Sequence, residues 1–468
     1  MSDVCFVDCH CHLFNIADVP LYASIEATAS GINTMGALAA ALVSSKAGKA
    51  LYGKREIISF FERTIEENIE LLVNQISETI DNHVGGEDGL RILTPLVMDF
   101  DLILPAFDKH LQEDDPFVPR EGGGLDAQLV DGDGEEFRFM MPGRSVRTQM
   151  DRLRSAIADQ EKLLSKNSFK VFPFLGYDPR KLLLKEGLKG FKSLWKSVGG
   201  VTDSAKRSDP ESLANGDVIG VKLYPPIGFN PYGTNSGERQ AFLKFYAWLA
   251  EKQIPITAHC QRGSYSTDPS SIERRTDPRN WERVLETKYK WKDGEFKGKT
   301  TNLACLRLNL AHFAGEKDMD DMIDWTKFDG IDEDTWSWTI VEMLQEYPNV
   351  YADIAAFDFA PYNIKGKGLY SGAIKAFHGL LDKDKSGGLG ANGSHMICDK
   401  MLWGSDVPMI ISCDAIRSGL TGDKESHYKF LYGRFRDTVF KCKKYDAQGK
   451  RDLVGKITSG NALKFLFP

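Results

Sequence analysis

The chain has 468 residues, 42% of them hydrophobic and 27% charged, with a formal charge of −7 at pH 7. This is the balance of an ordinary globular protein, and its scattered basic residues argue against nucleic-acid binding and for a small-molecule substrate. No apolar run approaches the ~18 residues of a membrane span, and no signal peptide is apparent, so we expect a cytoplasmic protein without membrane contact whose eight cysteines are free thiols.

Eight short apolar segments of β character recur along the chain with helical stretches between them, such as the amphipathic segments 239–252 and 337–347. Near-continuous apolar runs suit strands that are buried on both faces, and strands alternating with helices indicate an α/β fold. The count therefore predicts a closed parallel (β/α)8 TIM barrel. The predicted strands are 4–8, 90–97, 170–175, 218–224, 254–259, 306–312, 350–354 and 401–406.

Long segments interrupt this alternation, and we interpret residues 1–468 as a single barrel domain with insertions. The insertions follow predicted strands one, two, five and seven. Because barrel active sites lie at the carboxyl ends of the strands, we expect these helical and loop insertions at the C-terminal face, as a lid or a specificity wall. Surface insertions of this kind also often form dimer contacts, so a homodimer is one expected assembly. The insertions span about 13–89, 108–147, 261–300 and 358–399.

The strongest local signal is Asp8-Cys9-His10-Cys11-His12, directly after a predicted strand. Side chains alternate along an extended backbone, so His10 and His12 point to the same side and can offer two imidazole nitrogens to one cation. Cys9 and Cys11 alternate away from them and are interpreted as core thiols. Taken alone, a His-x-His pair is more often incidental than a ligand pair.

Three further residues strengthen the metal interpretation. His259, His312 and Asp406 stand at the ends of predicted strands five, six and eight. Because the carboxyl ends of barrel strands converge on one mouth, we expect these residues to meet His10 and His12. Imidazoles with a carboxylate suit zinc, with iron or manganese as alternatives.

The order of these residues resembles the amidohydrolase superfamily. The sequence motifs are most similar to those of its amidohydrolase-related branch, which includes the aminocarboxymuconate-semialdehyde decarboxylase-like enzymes. The resemblance touches every part of the predicted barrel but none of the insertions. The matching segments are 7–12, 220–225, 257–260, 310–315, 402–408 and 457–466.

The resemblance implies a metal-dependent hydrolase whose metal is held by His10, His12, His259 and Asp406. Asp406 would accept a proton from the attacking water, and His312 would orient that water or polarise the substrate carbonyl. The bond cleaved would be that of an amide, an ester or lactone, or an activated C–C bond. Two alternatives stay open: a non-oxidative decarboxylase of an aromatic or dienoic acid, and a catalytically inactive barrel acting as a binding protein.

Four other residues are candidates for the site. In binuclear relatives a lysine at the position of Lys222 is carboxylated and bridges two metals, but we favour one metal with Lys222 holding a substrate carboxylate; a structural lysine is the third option. Arg262 could hold an anionic substrate group or be a surface arginine. Tyr224 could line the substrate pocket or pack as a core aromatic residue. Asp353 could support a metal ligand.

Overall fold

Eight parallel strands form the wall of a barrel in the computed structural model. The third strand consists of two short segments on either side of Pro173, which has no backbone N–H to contribute to the ladder. The strands are β1 (Val4–Cys11), β2 (Leu90–Pro95), β3 (Phe169–Val171 and Phe174–Gly176), β4 (Gly220–Leu223), β5 (Ile256–Gln261), β6 (Leu308–Ala314), β7 (Val350–Asp353) and β8 (Met401–Leu402).

The structure describes most of the chain outside the predicted insertions. The described residues are 4–13, 63–81, 89–99, 126–130, 136–140, 145–262, 272–324, 330–331, 334–357, 362–364, 367–369, 371–387, 395–407 and 427–468.

The strands pair in chain order, and backbone hydrogen bonds close the ring. One sheet contains β1, β2 and the first segment of β3, and the other runs from the second segment of β3 to β8. A parallel bridge between Leu96 and Phe174 joins the two sheets on one side. On the other side, the backbone N–H of Cys9 donates to the carbonyl of Trp403 at 3.0 Å. The predicted barrel is thereby confirmed.

Helices follow the strands and cover the outside of the barrel, as the alternating pattern predicts. The predicted helical segments 239–252 and 337–347 correspond to the helices Ser236–Glu251 and Trp336–Glu346. None of the described helices is long and apolar enough to cross a membrane. The helices are α1 (Ile65–Asp81), α2 (Val146–Asp159), α3 (Glu161–Lys166), α4 (Gly187–Ser197), α5 (Ser204–Arg207), α6 (Ser236–Glu251), α7 (Ile272–Thr276), α8 (Arg279–Leu285), α9 (Glu316–Met322), α10 (Trp336–Glu346), α11 (Ser371–Lys385), α12 (His427–Phe440), α13 (Ala447–Gly455) and α14 (Asn461–Leu466).

A small apolar cluster plugs the amino-terminal end of the barrel. It takes Ile92 from β2, Phe174 from β3 and Leu402 from β8, together with Phe465 from α14. Arg307, just before β6, fixes the end of α14 by donating from its guanidinium to the carbonyls of Phe465 and Phe467. Because this end is filled, the opposite end of the barrel is left for a site.

The predicted insertions have different outcomes. Residues 14–62 and 388–394, with most of 100–144, lie outside the described residues, although 126–130 and 136–140 pair as an antiparallel hairpin. A second antiparallel hairpin is formed by strands 288–290 and 300–302. It lies within or at the border of the predicted insertion 261–300.

That second hairpin lies away from the C-terminal face. Glu295 within it accepts hydrogen bonds from the indole of Trp248 at 3.0 Å and from Lys252 at 3.1 Å, and Thr301 bonds to Glu251. These partners sit at the carboxyl end of α6, which leads into the start of β5. The hairpin therefore packs beside the amino ends of the strands, a position that depends on contacts with α6 and not on its own composition.

Gly220 at the start of β4 provides a test of the barrel packing. A Cβ built on Gly220 would lie 2.2 Å from Cε1 of the Phe174 ring, so Gly220→Ala forces the interior to shift. We expect a loss of about 1–3 kcal/mol in the free energy of unfolding, as for other overpacked cores. Gly379→Ala in α11 is the matched control, because nothing lies within 4 Å of its added Cβ. Thermal unfolding of both variants measures the difference, and equal melting temperatures would contradict this packing.

Candidate metal centre

The structure brings the five predicted histidine and aspartate residues together at the carboxyl ends of the strands. His10 and His12 come from the end of β1, His259 from β5, His312 from β6, and Asp406 from the loop after β8. All five are buried, none being more than 6% exposed. Donor atoms of His10, His312 and Asp406 lie within 4.8 Å of one another.

Asp406 contacts both histidines of the β1 motif. Its Oδ1 is 3.3 Å from Nε2 of His10 and 3.3 Å from Nε2 of His12. Burial raises the pKa of this carboxyl, but the contact with His12 and the nearby His10 and His312 outweigh it, so its pKa is lowered. Asp406 is therefore an ionised carboxylate within reach of two imidazoles.

Hydrogen bonds fix the protonated nitrogen on three of the rings. The Nδ1 of His10 contacts Oδ2 of Asp353 at 3.0 Å, that of His12 the carbonyl of Leu96 at 2.9 Å, and that of His312 the carbonyl of Ala355 at 3.1 Å. Carbonyl and carboxylate oxygens only accept hydrogen bonds, so each Nδ1 carries the proton. In its neutral form, a ring with this proton presents an unprotonated Nε2.

The position of the proton on His259 follows from its contact with His312. The Nε2 of His312 lies 3.1 Å from Nδ1 of His259. Because that Nε2 is unprotonated, Nδ1 of His259 is the donor and its own Nε2 is left bare. The Nε2 atoms of His10 and His259 are both buried without a hydrogen-bond partner. Bare, buried lone pairs beside a carboxylate fit a divalent metal.

Burial keeps these rings neutral, as metal binding requires. Desolvation, followed by the charge of Lys222, lowers the pKa of His10 to about 3. Desolvation is also the largest cause lowering the pKa of His312, and it lowers that of His259, with the neighbouring His312 as the next cause. Near neutral pH, these three histidines can therefore act as ligands through unprotonated nitrogens.

Distance and hydrogen bonding select different histidines as ligands. The group of donor atoms within 4.8 Å of one another contains His10, His312 and Asp406, whereas the set predicted from the sequence has His12 and His259 in place of His312. We favour His259 as the ligand, because Nε2 of His312 already accepts from His259 while Nε2 of His259 has no partner. His312 then lies beside the ligands and fixes the tautomer of His259.

Lys222 lies beside this group on β4. Its side chain is buried, and within the described part of the chain its ammonium has no hydrogen-bond partner. Burial lowers its pKa to about 8, although the carboxylates of Asp353 and Asp406 oppose that shift. Tyr224, also buried, places its ring centroid 4.8 Å from that of His259. Lys222 thus places an ammonium without a hydrogen-bond partner among the described residues beside the predicted ligands, and Tyr224 borders His259.

Arg262 has contacts of another kind. Its Nε donates to Oδ1 of Asp318 at 3.0 Å, and its guanidinium stacks over the ring of Trp336 at 4.4 Å. Asp318 is in α9 and Trp336 begins α10, so Arg262 connects the end of β5 to both helices. These contacts favour a structural tether over the predicted role in anion binding.

Sequence reasoning missed two buried residues that support the site. Asp8 accepts hydrogen bonds from the backbone N–H groups of His10 and Ser405, both at 3.1 Å, and burial raises its pKa to about 6. Asn309 on β6 donates from its amide to Asp353 at 2.6 Å. Asp8 stands in the same motif as His10, which is a sequence signal, but the partner of Asn309 is 44 residues away.

The cysteine prediction agrees with the structure. All seven described cysteines are free, and Cys9, Cys11 and Cys260 are buried; Cys413 lies outside the described residues. Burial raises the pKa of these three thiols well above its usual range, so they are protonated near neutral pH. They are therefore core thiols and not thiolate ligands.

The Arg262 tether can be tested by a double-mutant cycle. We expect Arg262→Ala and Asp318→Asn each to lower the free energy of unfolding. Because the two side chains share a hydrogen bond, the double variant should lose less than the sum, with a coupling of about 0.5–2 kcal/mol. Unfolding in urea by the wild type and the three variants gives this coupling. Strictly additive losses would show that the tether is not made in solution.

Comparisons with known proteins agree with the motif resemblance. A family model described as "Amidohydrolase" matches residues 7–467. A search of curated proteins found no match. The chain is similar to a solved structure of a probable 2-pyrone-4,6-dicarboxylic acid hydrolase from Acinetobacter baumannii, with 13% identity over 99% of each chain and a TM-score of 0.41.

Two further solved structures show a similar level of likeness. A 5-carboxyvanillate decarboxylase from Novosphingobium aromaticivorans, complexed with manganese, has 13% identity, coverage of 99% of this chain and 96% of that one, and a TM-score of 0.40. A 4-oxalomesaconate hydratase from Rhodopseudomonas palustris has 10% identity, coverage of 98% and 95%, and a TM-score of 0.41. Likenesses this distant do not select a substrate. The match over residues 7–467 shows that the chain belongs to the amidohydrolase family.

Proposed function

We propose that this protein is a metal-dependent hydrolase that cleaves an amide, an ester or lactone, or an activated C–C bond in a small, carboxylate-bearing molecule. The observation that carries the proposal is the orientation of the histidines: hydrogen bonds donated by Nδ1 leave Nε2 unprotonated on His10, His12 and His259. The first two of these Nε2 atoms lie 3.3 Å from Oδ1 of Asp406. Membership of the amidohydrolase family supports it.

One divalent ion would be held by His10, His12, His259 and Asp406. Three imidazole nitrogens and one carboxylate oxygen favour zinc, with iron or manganese as alternatives. When bound, such an ion lowers the pKa of a water molecule and polarises a carbonyl group as a Lewis acid.

Asp406 is the proposed general base. It is ionised and buried, so it can take a proton from the attacking water with little competition from solvent. The water oxygen bonds to the substrate's carbonyl carbon, and the bond from that carbon to the leaving atom breaks. Asp406 then returns the proton to the leaving atom, which balances the reaction. His312 would orient the water or the carbonyl from the neighbouring strand.

Lys222 indicates the class of substrate. A buried lysine whose ammonium has no hydrogen-bond partner among the described residues is costly, and a substrate carboxylate would satisfy it. The alternative role, a carboxylated Lys222 that bridges two metals, would remove this positive charge. The decarboxylase alternative also uses a carboxylate held by Lys222, and it differs in the product, which is carbon dioxide.

Metal content is the first measurement. We expect elemental analysis to find about one zinc, iron or manganese ion per chain, and His10→Ala to lose it because one of four ligands is removed. Growth and purification with added bicarbonate should leave the ratio unchanged. About two ions per chain, dependent on bicarbonate, would instead indicate a carboxylated Lys222 and a binuclear site. A protein that holds no metal after reconstitution would contradict the proposal.

Turnover tests the reaction type. The probe is mono-4-nitrophenyl succinate, an ester with a free carboxylate, and its methyl ester is the matched substrate without that charge. The zinc-loaded protein should hydrolyse the charged probe with the lower KM, and in ¹⁸O-labelled water the released acid should carry the label. Asp406→Asn should lower kcat about 10²–10⁴-fold, the usual contribution of a general base.

Other outcomes of this assay separate the alternatives. Release of carbon dioxide from 2-hydroxybenzoate without ester cleavage would support the decarboxylase. Probe binding that is equal in the wild type and in Asp406→Asn, with no turnover in either, would support the inactive binding protein.

A further inference from the structure

Asp353 lies at the end of β7 and is completely buried. Its two oxygens accept four hydrogen bonds, which come from β1, from β6 and from the segment directly after β7. Oδ2 accepts from Nδ1 of His10 at 3.0 Å and from the amide of Asn309 at 2.6 Å. Oδ1 accepts from the backbone N–H groups of His312 at 2.9 Å and Ala355 at 3.1 Å.

The contact with His312 fixes an uncommon backbone turn. His312, Phe313 and Ala314 have φ values of 69°, 44° and 63°, and Gly315 continues the turn with a φ of 94°. The left-handed conformation costs non-glycine residues roughly 1–2 kcal/mol each, so the surrounding structure must hold it. The pairing of β6 with β5 shifts register here, between Ala311 and Ala314. Asp353 therefore bonds the first residue of a turn that leaves the sheet.

From these contacts we propose that Asp353 is a positioning residue for the metal centre. One of its oxygens holds His10 in the tautomer that presents a bare Nε2, and the other holds the turn that carries His312. The inference rests on the proposed function in one respect only, namely that Nε2 of His10 faces a metal. The tautomer itself is a property of the protein without metal.

Asp353→Asn gives a sharp prediction, because the amide keeps the shape of the carboxylate but has one acceptor oxygen. The backbone N–H groups of His312 and Ala355 cannot lose their protons, so the amide oxygen should face them. The NH2 group then faces Asn309 and His10. Asn309 can turn its Oδ1, which is buried without a partner, towards the new donor. His10 can accept only by moving its proton from Nδ1 to Nε2.

The experiment observes this proton directly in metal-free protein. Protein labelled with ¹⁵N-histidine and treated with a chelator is examined by long-range ¹H–¹⁵N NMR, and His10→Gln identifies the His10 signals. In the wild type, we expect His10 to be protonated at Nδ1. In Asp353→Asn, we expect it to be protonated at Nε2.

Zinc affinity is the second readout, measured by competition with a chromogenic chelator. An Nε2 that carries a proton cannot bind zinc, so Asp353→Asn should bind zinc about 10–100-fold more weakly. Asp384→Asn is the matched control. Asp384 lies in α11 and is also a buried carboxylate, and it accepts hydrogen bonds from the backbone N–H groups of Ile397 and Cys398, both at 2.9 Å. That variant should lose stability while keeping the His10 tautomer and the zinc affinity.

The two readouts separate the inference from the proposed function. An Nδ1 proton on His10 in Asp353→Asn, with zinc affinity within about 3-fold of the wild type, would reduce Asp353 to a structural residue and overturn the inference. A wild type whose His10 is protonated at Nε2 would also overturn it, even if Asp353→Asn does not fold. Absence of zinc binding by the wild type would instead refute the proposed function, and the NMR result would still decide the role of Asp353.

Discussion

Closure of the barrel between β1 and the segment after β8 is the interaction on which the site depends. The backbone N–H of Asp406 donates to the carbonyl of His10 at 2.7 Å, and that of His12 donates to the carbonyl of Val407 at 2.7 Å. These bonds join the first strand to the last and place Asp406 beside the two histidines. Gly404 makes the approach possible, because a Cβ there would lie 2.5 Å from Cβ of His10. The same contacts thus complete the fold and bring together ligands almost 400 residues apart.

The charges at this closure are unbalanced in a way that suits a cation. Asp353 and Asp406 are both buried, and despite the desolvation that raises their pKa values, the surrounding histidines and their hydrogen bonds lower them. Asp8, with a pKa of about 6, is a third carboxylate near neutral pH, so three carboxylates and the Lys222 ammonium leave a net charge of −2 among the imidazoles. A buried charge without compensation is unfavourable. A divalent ion held by the proposed ligands would neutralise this charge.

The sequence predicts the parts of this arrangement that follow from strand periodicity. Residues at the carboxyl ends of β1, β5, β6 and the segment after β8 converge because the barrel requires it, so His10, His259, His312 and Asp406 could be placed before any coordinates. Tertiary contacts between helices and loops have no such rule. The pairing of Arg262 with Asp318 depends on where α9 begins, and the hairpin that contains Glu295 depends on the end of α6. Asn309 faces Asp353 only because β6 and β7 are neighbours in a particular register.

Hydrolysis and decarboxylation, the two reactions considered for this site, make similar demands on it. Both reactions need a carboxylate or carbonyl oriented against a metal and a proton carrier, and both can use Asp406 and Lys222. The difference lies in whether the carboxylate held by Lys222 is a handle distant from the bond that breaks or is itself the group that leaves. Lys222 lies near the end of β4, and Tyr224, just after this strand, packs its ring near His259. In the proposed hydrolase, a carboxylate held by Lys222 would be such a handle, and Asp406 would serve the bond that breaks.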